Sequence, residues 1–371
     1  FLAAAPAAGG WVTSEMSLFL EACPARVVLI TGTQGKSSTT NATARLLEEC
    51  GLRVFVGGNI GRALISTLDD MRSEDVAVVE ISSYQLEAWP NPMPELERVA
   101  AVCCVNVLAD HLERHGTIEA YEAAKRRVLE VAGAAATVVL SGEDLRVARW
   151  HVARGRELRF RAATATDEGL NIGDGRFRLG RETLGLVADL RLPGEFQRAN
   201  MLAALGLAHA LGARPEQLRA ALGRVEGLEH RLQDLGIHAG RRVWDNGVST
   251  TPDSTLSALT ALARPLTLVC GGQAKSLPLA ELARAAATHT RRVVTFGASA
   301  EFLAAAFREV GVEVLATPSV EAAVAAAYAR MESDEELLFS PACASFDAYR
   351  NFKDRALAFR AALPRAVAAP L

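Results

Sequence analysis

Short apolar runs rich in β-branched residues alternate along the chain with longer stretches whose apolar positions recur at helical spacing. This alternation is typical of parallel strands joined by helical crossovers, and it predicts an α/β fold. In the first part of the chain it predicts strands at residues 26–30, 53–56, 76–81, 99–107 and 137–140. It predicts helices from the turn after the first strand to residue 49, and at residues 121–131, 199–211 and 215–222.

The pattern of hydrophobic and polar residues changes twice after residue 150. Residues 151–192 are short polar pieces with several glycines, which predicts small antiparallel strands at the edge of the first domain. In the last part of the chain, apolar runs again alternate with helical stretches, which predicts a second, smaller open α/β sheet. Its strands are expected at residues 243–245, 266–270, 292–296, 312–315 and 336–339. We therefore predict a central domain (25–227) and a C-terminal domain (228–371), with the boundary near residues 226–229.

Composition and charge narrow the class of protein. The 371 residues are 50% hydrophobic and 22% charged, with a formal net charge of −3. No apolar run approaches the roughly 18 residues of a membrane span, and the acidic balance gives no general attraction to nucleic acid. The N-terminus lacks the pattern of a signal peptide. The six cysteines are scattered without metal-ligand spacing, which predicts reduced thiols in a cytoplasmic protein.

The strongest motif is Gly-Thr-Gln-Gly-Lys-Ser-Ser (32–38), the phosphate loop, which lies between the first predicted strand and its helix. Such a turn presents backbone N–H groups to an anion, and the helix N-terminus adds partial positive charge. Lys36 is placed to reach the β- and γ-phosphates, and Ser37 is placed to contact a magnesium ion. The spacing is the shorter GxxGKS form, because Ile30 stands where the first glycine of the common motif would be.

Further polar residues follow the next strands. Glu80 ends an apolar run, and the carboxyl ends of parallel strands face the ligand crevice of open α/β sheets, so this carboxylate is a candidate Mg²⁺ ligand. A block with one aspartate and two histidines (106–115) follows the next strand, and its His111 is expected to meet Glu80 around a metal. Lys125 lies in the middle of a helix, where composition alone predicts an exposed side chain.

Six motifs in order give the chain a resemblance to the Mur ligase family of peptidoglycan synthesis. They are the phosphate loop, Gly-Gly-Asn-Ile-Gly (57–61), Glu-Ile-Ser-Ser-Tyr-Gln-Leu-Glu (80–87), the 106–115 block, Glu-His-Arg (229–231) and Ser-Pro-Ala-Cys-Ala-Ser-Phe-Asp (340–347). The resemblance extends from residue 11 to residue 353 and is greatest to the branch of the family that adds D-glutamate.

The resemblance implies both a fold and a reaction. The fold is a central domain with a mostly parallel sheet of the P-loop type, followed by a Rossmann-like α/β ligase domain. The family's N-terminal UDP-binding domain is expected to be largely absent from this chain, with residues 1–24 as its remnant. The implied reaction joins D-glutamate to the L-alanine carboxylate of UDP-N-acetylmuramoyl-L-alanine through an acyl phosphate, with ATP and Mg²⁺, in a cytoplasmic enzyme expected to be a monomer.

The resemblance also implies roles for individual residues. The ATP-binding set is Gly32, Gly35, Lys36, Ser37, Ser38, Asn200, Arg231 and Asn246. The catalytic set is Lys36, Glu80, His111 and Lys125, and the metal set is Ser37, Glu80, His111 and Lys125. Lys125 matches the family's carbamylated lysine, which overrides the prediction from composition. The expected substrate contacts are Asn59, Ser82, Thr250, Lys275, Ser345 and Phe352.

The chain departs from the family pattern at a few of these positions. Asn246 stands where an aspartate is usual at the nucleotide, and Asp245 is a possible substitute one position earlier. Val248 removes a usual positive charge, and Phe196 and Gln197 replace a usual His-Asn pair before Asn200. These departures leave the phosphate chemistry in place and bear on the amino-acid specificity.

Two alternatives to this function remain open at the level of sequence. The nearer one is a sibling ligase, either an L-glutamate-adding variant or an enzyme similar to folylpolyglutamate synthase, because these share the phosphate loop, Glu80 and the modified lysine. The other is a non-catalytic, nucleotide-dependent switch module. A motor that depends on nucleic acid is disfavoured by the acidic charge and the lack of an aromatic-basic stripe.

Overall fold

The computed structural model describes residues 13–60, 63–89, 96–262, 265–274 and 278–364. The chain divides into two compact units. The first extends to Arg191 and includes Glu195–Glu226, and the second consists of Leu192–Gly194 and the chain from Gly227 onwards. Both units are open α/β sheets, which confirms the predicted fold class.

A nine-stranded sheet with the order β2-β3-β1-β4-β5-β6-β7-β8-β9 forms the centre of the first unit. Its strands are β1 (Arg26–Thr31), β2 (Val54–Gly58), β3 (Val76–Glu80), β4 (Val99–Cys104), β5 (Thr137–Ser141), β6 (Arg156–Arg161), β7 (Leu170–Gly173), β8 (Arg176–Leu179) and β9 (Glu182–Leu186). The pairs from β2 to β7 are parallel, and only β7–β8 and β8–β9 are antiparallel. The prediction for residues 151–192 was therefore partly wrong, because β6 and β7 extend the parallel sheet.

Helices connect and cover these strands. They are α1 (Glu15–Ala22), α2 (Lys36–Glu49), α3 (Ser83–Glu87), α4 (Leu112–His115), α5 (Ile118–Arg126), α6 (Glu195–Ala210) and α7 (Pro215–Leu222). Short 3₁₀ turns occupy Leu64–Asp70, Arg127–Leu129, Val147–Arg149 and Val187–Asp189. Strands β1, β3 and β4 are almost entirely buried, as expected for parallel strands that are covered on both faces.

The strand order creates a ligand crevice between β1 and β4. These strands are neighbours in the sheet, but the connection from β1 leads to β2 on one side, whereas that from β4 leads to β5 on the other. Open α/β sheets bind ligands where the connections diverge in this way, outside the carboxyl ends of the strands. The phosphate loop leaves β1 and the 106–115 block leaves β4 at this point.

The second unit contains a six-stranded sheet with the order β10-β11-β15-β12-β13-β14. Its elements are β10 (Gln233–His238), β11 (Arg241–Asp245), α8 (Pro252–Leu262), β12 (Leu266–Gly271), α9 (Ala280–His289), β13 (Thr290–Phe296), α10 (Ala300–Glu309), β14 (Glu313–Thr317), α11 (Val320–Tyr328), β15 (Glu336–Ala342) and α12 (Phe352–Ala362). Five strands were predicted. The sixth, β10, is an antiparallel edge strand of alternating, half-exposed residues, so it lacks the apolar run that marks a central strand.

The cysteines and the lengths of the helices bear on the class of protein. All six cysteines are free thiols, in agreement with the prediction of reduced cysteines. Within the described ranges, every helix is too short or too polar to traverse a lipid bilayer.

Candidate active site

The phosphate loop forms an anion-binding turn at the start of α2. Gly35 is the N-cap of this helix and has a left-handed φ of 81°. A Cβ atom at this position would lie 2.3 Å from the Oδ1 of Asn200, so the close approach requires glycine. The N–H of Thr39 donates to the carbonyl oxygen of Gly35, so the N–H groups of residues 36–38 precede the first intrahelical bond and lack acceptors inside the helix. N–H groups at a helix N-terminus of this kind commonly bind phosphate.

Two lysine side chains bind carbonyl oxygens of this same loop. The Nζ of Lys36 donates to the carbonyl oxygen of Thr33 at 2.8 Å. The Nζ of Lys125, which comes from α5, donates to the carbonyl oxygen of Gly32 at 2.7 Å. The loop therefore brings two amines from distant parts of the sequence to adjacent residues.

Lys125 is almost completely buried, with 1% of its surface exposed. Its Nζ also lies 4.5 Å from the centre of the Tyr121 ring. Burial, and then the positive charge of Lys36, lower the pKa of Lys125 to about 8. The prediction of an exposed lysine from composition was therefore wrong, because the side chain points into the loop instead of away from the helix.

Glu80 is a buried carboxylate at the carboxyl end of β3. Its Oε1 accepts a hydrogen bond of 2.9 Å from the Nδ2 of Asn59, whereas its Oε2 is buried without a hydrogen-bond partner among the described residues. A buried, unpartnered carboxylate oxygen is costly unless a ligand satisfies it. Carboxylate and hydroxyl oxygens are the ligand types that Mg²⁺ prefers, and a metal site formed by Glu80 and Ser37 stays a prediction.

His111 lies on the more exposed side of this region, with 44% of its side chain exposed. Its ring nitrogens are 3.5 Å from carboxylate oxygens of Asp110 and Glu113, and its ring centre is 5.1 Å from that of Tyr84. Among the residues that the structure describes, no three His, Cys, Asp or Glu side chains converge as a ready-made metal site. The expected meeting of Glu80 and His111 around a metal therefore stays a prediction.

Ser82 and Asn200 both bind glutamine side chains of their own helices. Ser82 caps α3, where its hydroxyl accepts the N–H of Gln85 and donates to the Gln85 side chain. Asn200 is buried on α6, and its Nδ2 donates to the Oε1 of Gln197 at 3.1 Å. Gln197, one of the departures from the family pattern, therefore orients the amide that lies against Gly35.

In the second unit, Asn246 is a buried residue directly after β11. Its Oδ1 accepts the N–H of Leu232 at 3.1 Å, and its Nδ2 donates to the hydroxyl of Ser340 at 2.9 Å. The amide of Asn246 thus connects the turn before β10 with strand β15 of the same unit. Arg231 lies in the turn before β10, where its N–H donates to the carbonyl oxygen of Leu228.

Asp245 forms the centre of a cluster of polar side chains in the second unit. Its Oδ2 lies 2.7 Å from the Nδ1 of His230 and accepts a bond of 2.7 Å from the Nε of Arg360. Its Oδ1 accepts the N–H of Gly247. Asp245 is fully buried with these partners, and its substitution for the aspartate that is usual at position 246 stays a prediction.

Three of the four residues expected to contact glutamate are described, and they follow strands β11 and β15 or begin helix α12. Thr250 follows β11, Ser345 follows β15, and Phe352 is the first residue of α12. Ser345 is buried, and its carbonyl oxygen accepts the N–H of Tyr349. Lys275 lies outside the described residues.

Arg355 connects these loops through hydrogen bonds, and the sequence analysis did not identify it. Its guanidinium donates to five carbonyl oxygens, which belong to Gly247, Ser249, Gly271, Cys343 and Ala344. It is fully buried, and burial lowers the pKa of its side chain to about 10. A signal for it was present, because Arg355 lies at helical spacing between Phe352 and Phe359 on the apolar face of α12.

The comparisons with known proteins match both units. A model of the Mur ligase middle domain matches residues 30–208, and a model of the Mur ligase glutamate ligase domain matches residues 230–343. The UDP-N-acetylmuramoylalanine–D-glutamate ligases of Symbiobacterium thermophilum and Aromatoleum aromaticum are 33% and 35% identical to the chain. Each of these alignments covers 95% of the chain and 78% of the relative.

Solved structures show the same fold at lower identity. A MurF ligase from Thermotoga maritima in complex with ADP is similar over 94% of this chain and 84% of its own, with a TM-score of 0.66 and 19% identity. The UDP-N-acetylmuramate–alanine ligase MurC from the same organism is similar over 94% of this chain and 77% of its own, with a TM-score of 0.66 and 17% identity.

The phosphate loop and the two α/β units define an ATP-dependent ligase that forms C–N bonds. The chain belongs to the Mur ligase family. This confirms the resemblance that the six ordered motifs indicated.

The lowered pKa of Lys125 predicts a pH-dependent stability that Lys125→Met removes. Between pH 8 and the ordinary lysine pKa of 10.5, the folded protein binds fewer protons at this site than the unfolded chain. Wild type should therefore gain stability relative to the variant as the pH rises through this window, by at most about 1.4 kcal/mol per pH unit. Guanidinium unfolding of both proteins in CO₂-free buffer, where Lys125 stays an unmodified amine, measures this difference across the window. A constant difference would contradict the prediction.

Proposed function

We propose that the protein joins D-glutamate to the L-alanine carboxylate of UDP-N-acetylmuramoyl-L-alanine, with ATP, in peptidoglycan precursor synthesis. The observation that supports this most directly is the arrangement at the phosphate loop, where two lysine amines bind adjacent carbonyl groups near a buried carboxylate with an unpartnered oxygen. The names of the curated relatives support the choice of substrates.

The reaction requires activation because a carboxylate oxygen is a poor leaving group. Transfer of the γ-phosphoryl group of ATP to the substrate carboxylate gives an acyl phosphate, which the amine of glutamate then attacks with loss of phosphate. Lys36 and the N–H groups of residues 36–38 would offset the negative charge that develops on the phosphoryl oxygens. The low exposure around Lys125 would help to exclude water from the acyl phosphate.

Glu80 and Ser37 would hold Mg²⁺, since a magnesium site commonly uses one or two carboxylates and completes its shell with phosphates and water. The ion would neutralise charge on the ATP phosphates when bound. His111 is assigned to the waters of this site, because a histidine at a metal site usually has both ring nitrogens engaged.

Lys125 is proposed to be carbamylated by CO₂. Carbamylation requires the neutral amine, and the lowered pKa of this buried lysine makes that form more accessible than it is for an exposed lysine. The product is an anion that offers oxygen atoms in place of a cation. Such a change would suit a site that must accommodate magnesium near Glu80.

The remaining assignments concern the other ligands of the two units. Asn59 and Ser82 are proposed to contact the muramoyl substrate. We assign Gly32, Gly35, Ser38, Asn200, Arg231 and Asn246 to ATP, and Thr250, Lys275, Ser345 and Phe352 to glutamate. Arg355 supports the last assignment, because its bonds hold the loop of Thr250 and the loop of Ser345 in one arrangement.

We further propose that the enzyme acts as a monomer in the cytoplasm on small molecules alone, without a nucleic-acid or membrane partner. Six free thiols suit a reducing compartment. The net charge of −3 gives no general attraction to nucleic acid or anionic lipid.

The substrate assignment predicts a strong preference for D-glutamate. ADP release measured with UDP-N-acetylmuramoyl-L-alanine should require D-glutamate and should be negligible with L-glutamate. The same assay with a folate acceptor is the control. Turnover with L-glutamate alone, or with the folate acceptor alone, would identify one of the sibling ligases instead.

Glu80→Gln tests the proposed magnesium ligand with little change in shape. The amide oxygen of the introduced glutamine can still accept the bond from Asn59, but the negative charge that attracts the ion is lost. We expect the Mg²⁺ concentration for half-maximal activity to rise by about tenfold or more, whereas thermal unfolding without nucleotide should change little. An unchanged Mg²⁺ requirement would remove Glu80 from the metal site.

Lys125→Ala distinguishes a ligase from a nucleotide-dependent switch. A ligase that depends on the carbamate should lose most turnover and recover part of it when short carboxylates are added, because these can occupy the vacated space. The control for an intact phosphate loop is ATP binding by the variant, measured as the rise in its melting temperature when ATP is added. Full turnover in the variant would contradict the role of Lys125.

A further inference from the structure

Asn106 lies just after β4, and its side chain binds the phosphate loop. Its Oδ1 accepts the N–H of Thr33 at 3.0 Å and the N–H of Gln34 at 2.9 Å. Its Nδ2 donates to the carbonyl oxygen of Gln34 at 3.1 Å. One side chain therefore satisfies three backbone groups of a loop that follows a different strand.

The backbone next to Asn106 strengthens this attachment. The carbonyl oxygen of Asn106 also accepts the N–H of Thr33 at 3.0 Å. The hydroxyl of Thr33 donates to the carbonyl oxygen of Leu108 at 3.2 Å and accepts the N–H of Leu108 at 2.9 Å. The first half of the phosphate loop is thus bound along residues 106–108.

These bonds decide which loop atoms can face a nucleotide. The N–H groups of Thr33 and Gln34 point to the Asn106 side chain, so they are occupied inside the protein. The N–H groups of residues 36–38 have no intrahelical acceptor. The orientation of the Thr33 peptide also determines where its carbonyl oxygen lies, and this oxygen binds the Nζ of Lys36.

We propose that Asn106 is a positioning residue for ATP. Its amide holds the first half of the phosphate loop so that the N–H groups of residues 36–38 and the amine of Lys36 are preorganised for the phosphates. The short loop form makes such an external support important, because it lacks the first glycine of the longer motif and has fewer residues of its own to shape the turn. This inference rests on the ATP-binding role proposed above.

Asn106→Ala tests the proposal, with Asn171→Ala as a matched control. Asn171 is a buried asparagine of the same unit, and its Nδ2 donates to the carbonyl oxygen of Gly180, away from the phosphate loop. For Asn106→Ala we expect the KM for ATP to rise about tenfold, as the loss of two or three hydrogen bonds implies. The KM values for the other two substrates should stay within a factor of about two.

The stabilisation by nucleotide gives a second readout. Wild type should melt at a higher temperature with ATP and Mg²⁺ than without them, since a ligand that binds only the folded state stabilises it. Asn106→Ala should lose most of this shift, whereas Asn171→Ala should lower the melting temperature without ligand and keep the shift. Asn106→Asp, which has the same shape, should also raise the KM for ATP, because it cannot donate to Gln34 and adds negative charge beside the phosphates.

Three results would overturn the inference. The first is a wild-type KM for ATP in both Asn106 variants. The second is an equal rise of all three KM values together with a lower melting temperature, which would indicate a general structural role. The third is an ATP-dependent shift that is lost equally in Asn171→Ala. If wild type itself showed no shift with ATP, the proposed function would fail and the inference with it.

Discussion

Buried cations held by backbone carbonyl groups are the constraint on which both units depend. A buried charge is costly unless dipoles or counter-charges surround it. In the first unit, the unmodified amine of Lys125 meets this requirement through Gly32, with Lys36 bound one residue further along. The nitrogen of a carbamylated Lys125 would keep one N–H for the same carbonyl oxygen. The loop must therefore keep its carbonyl oxygens turned inward, and its N–H groups at the start of α2 are left to an anion. The fold of the loop and its binding chemistry have the same cause.

The second unit also contains a buried cation surrounded by backbone carbonyl groups, and here the carbonyl groups are more numerous. Arg355 binds five carbonyl oxygens from the ends of β11, β12 and β15. Its planar guanidinium can donate in several fixed directions, which an ammonium group cannot do. The loops expected to contact glutamate are therefore joined through one side chain. These carbonyl dipoles explain why a fully buried arginine is tolerated there although, within the described ranges, its hydrogen-bond partners are backbone oxygens and not carboxylates.

Two residues that depart from the family pattern, Asn246 and Gln197, form hydrogen bonds within their own units. Asn246 uses both ends of its amide within its own unit, with Leu232 and Ser340 as partners. Gln197 supports Asn200 from within the same helix. Asn246 and Gln197 thus each keep buried polar groups hydrogen-bonded, which is the condition for a polar side chain to remain in the interior. The changes therefore alter charge near the proposed sites without disrupting the surrounding packing.

The sequence by itself determined the two α/β units, most strands and the phosphate loop, because apolar runs, helical spacing and a glycine turn are local features. The helical spacing of Phe352, Arg355 and Phe359 is also a local feature, and it places Arg355 on the buried face of α12. Only the tertiary structure decided that β6 and β7 pair in parallel, that Lys125 is buried against Gly32, and that Asn106 supports the loop. Strand partners and side-chain contacts join residues far apart in the chain, and their energies depend on packing that no local pattern records.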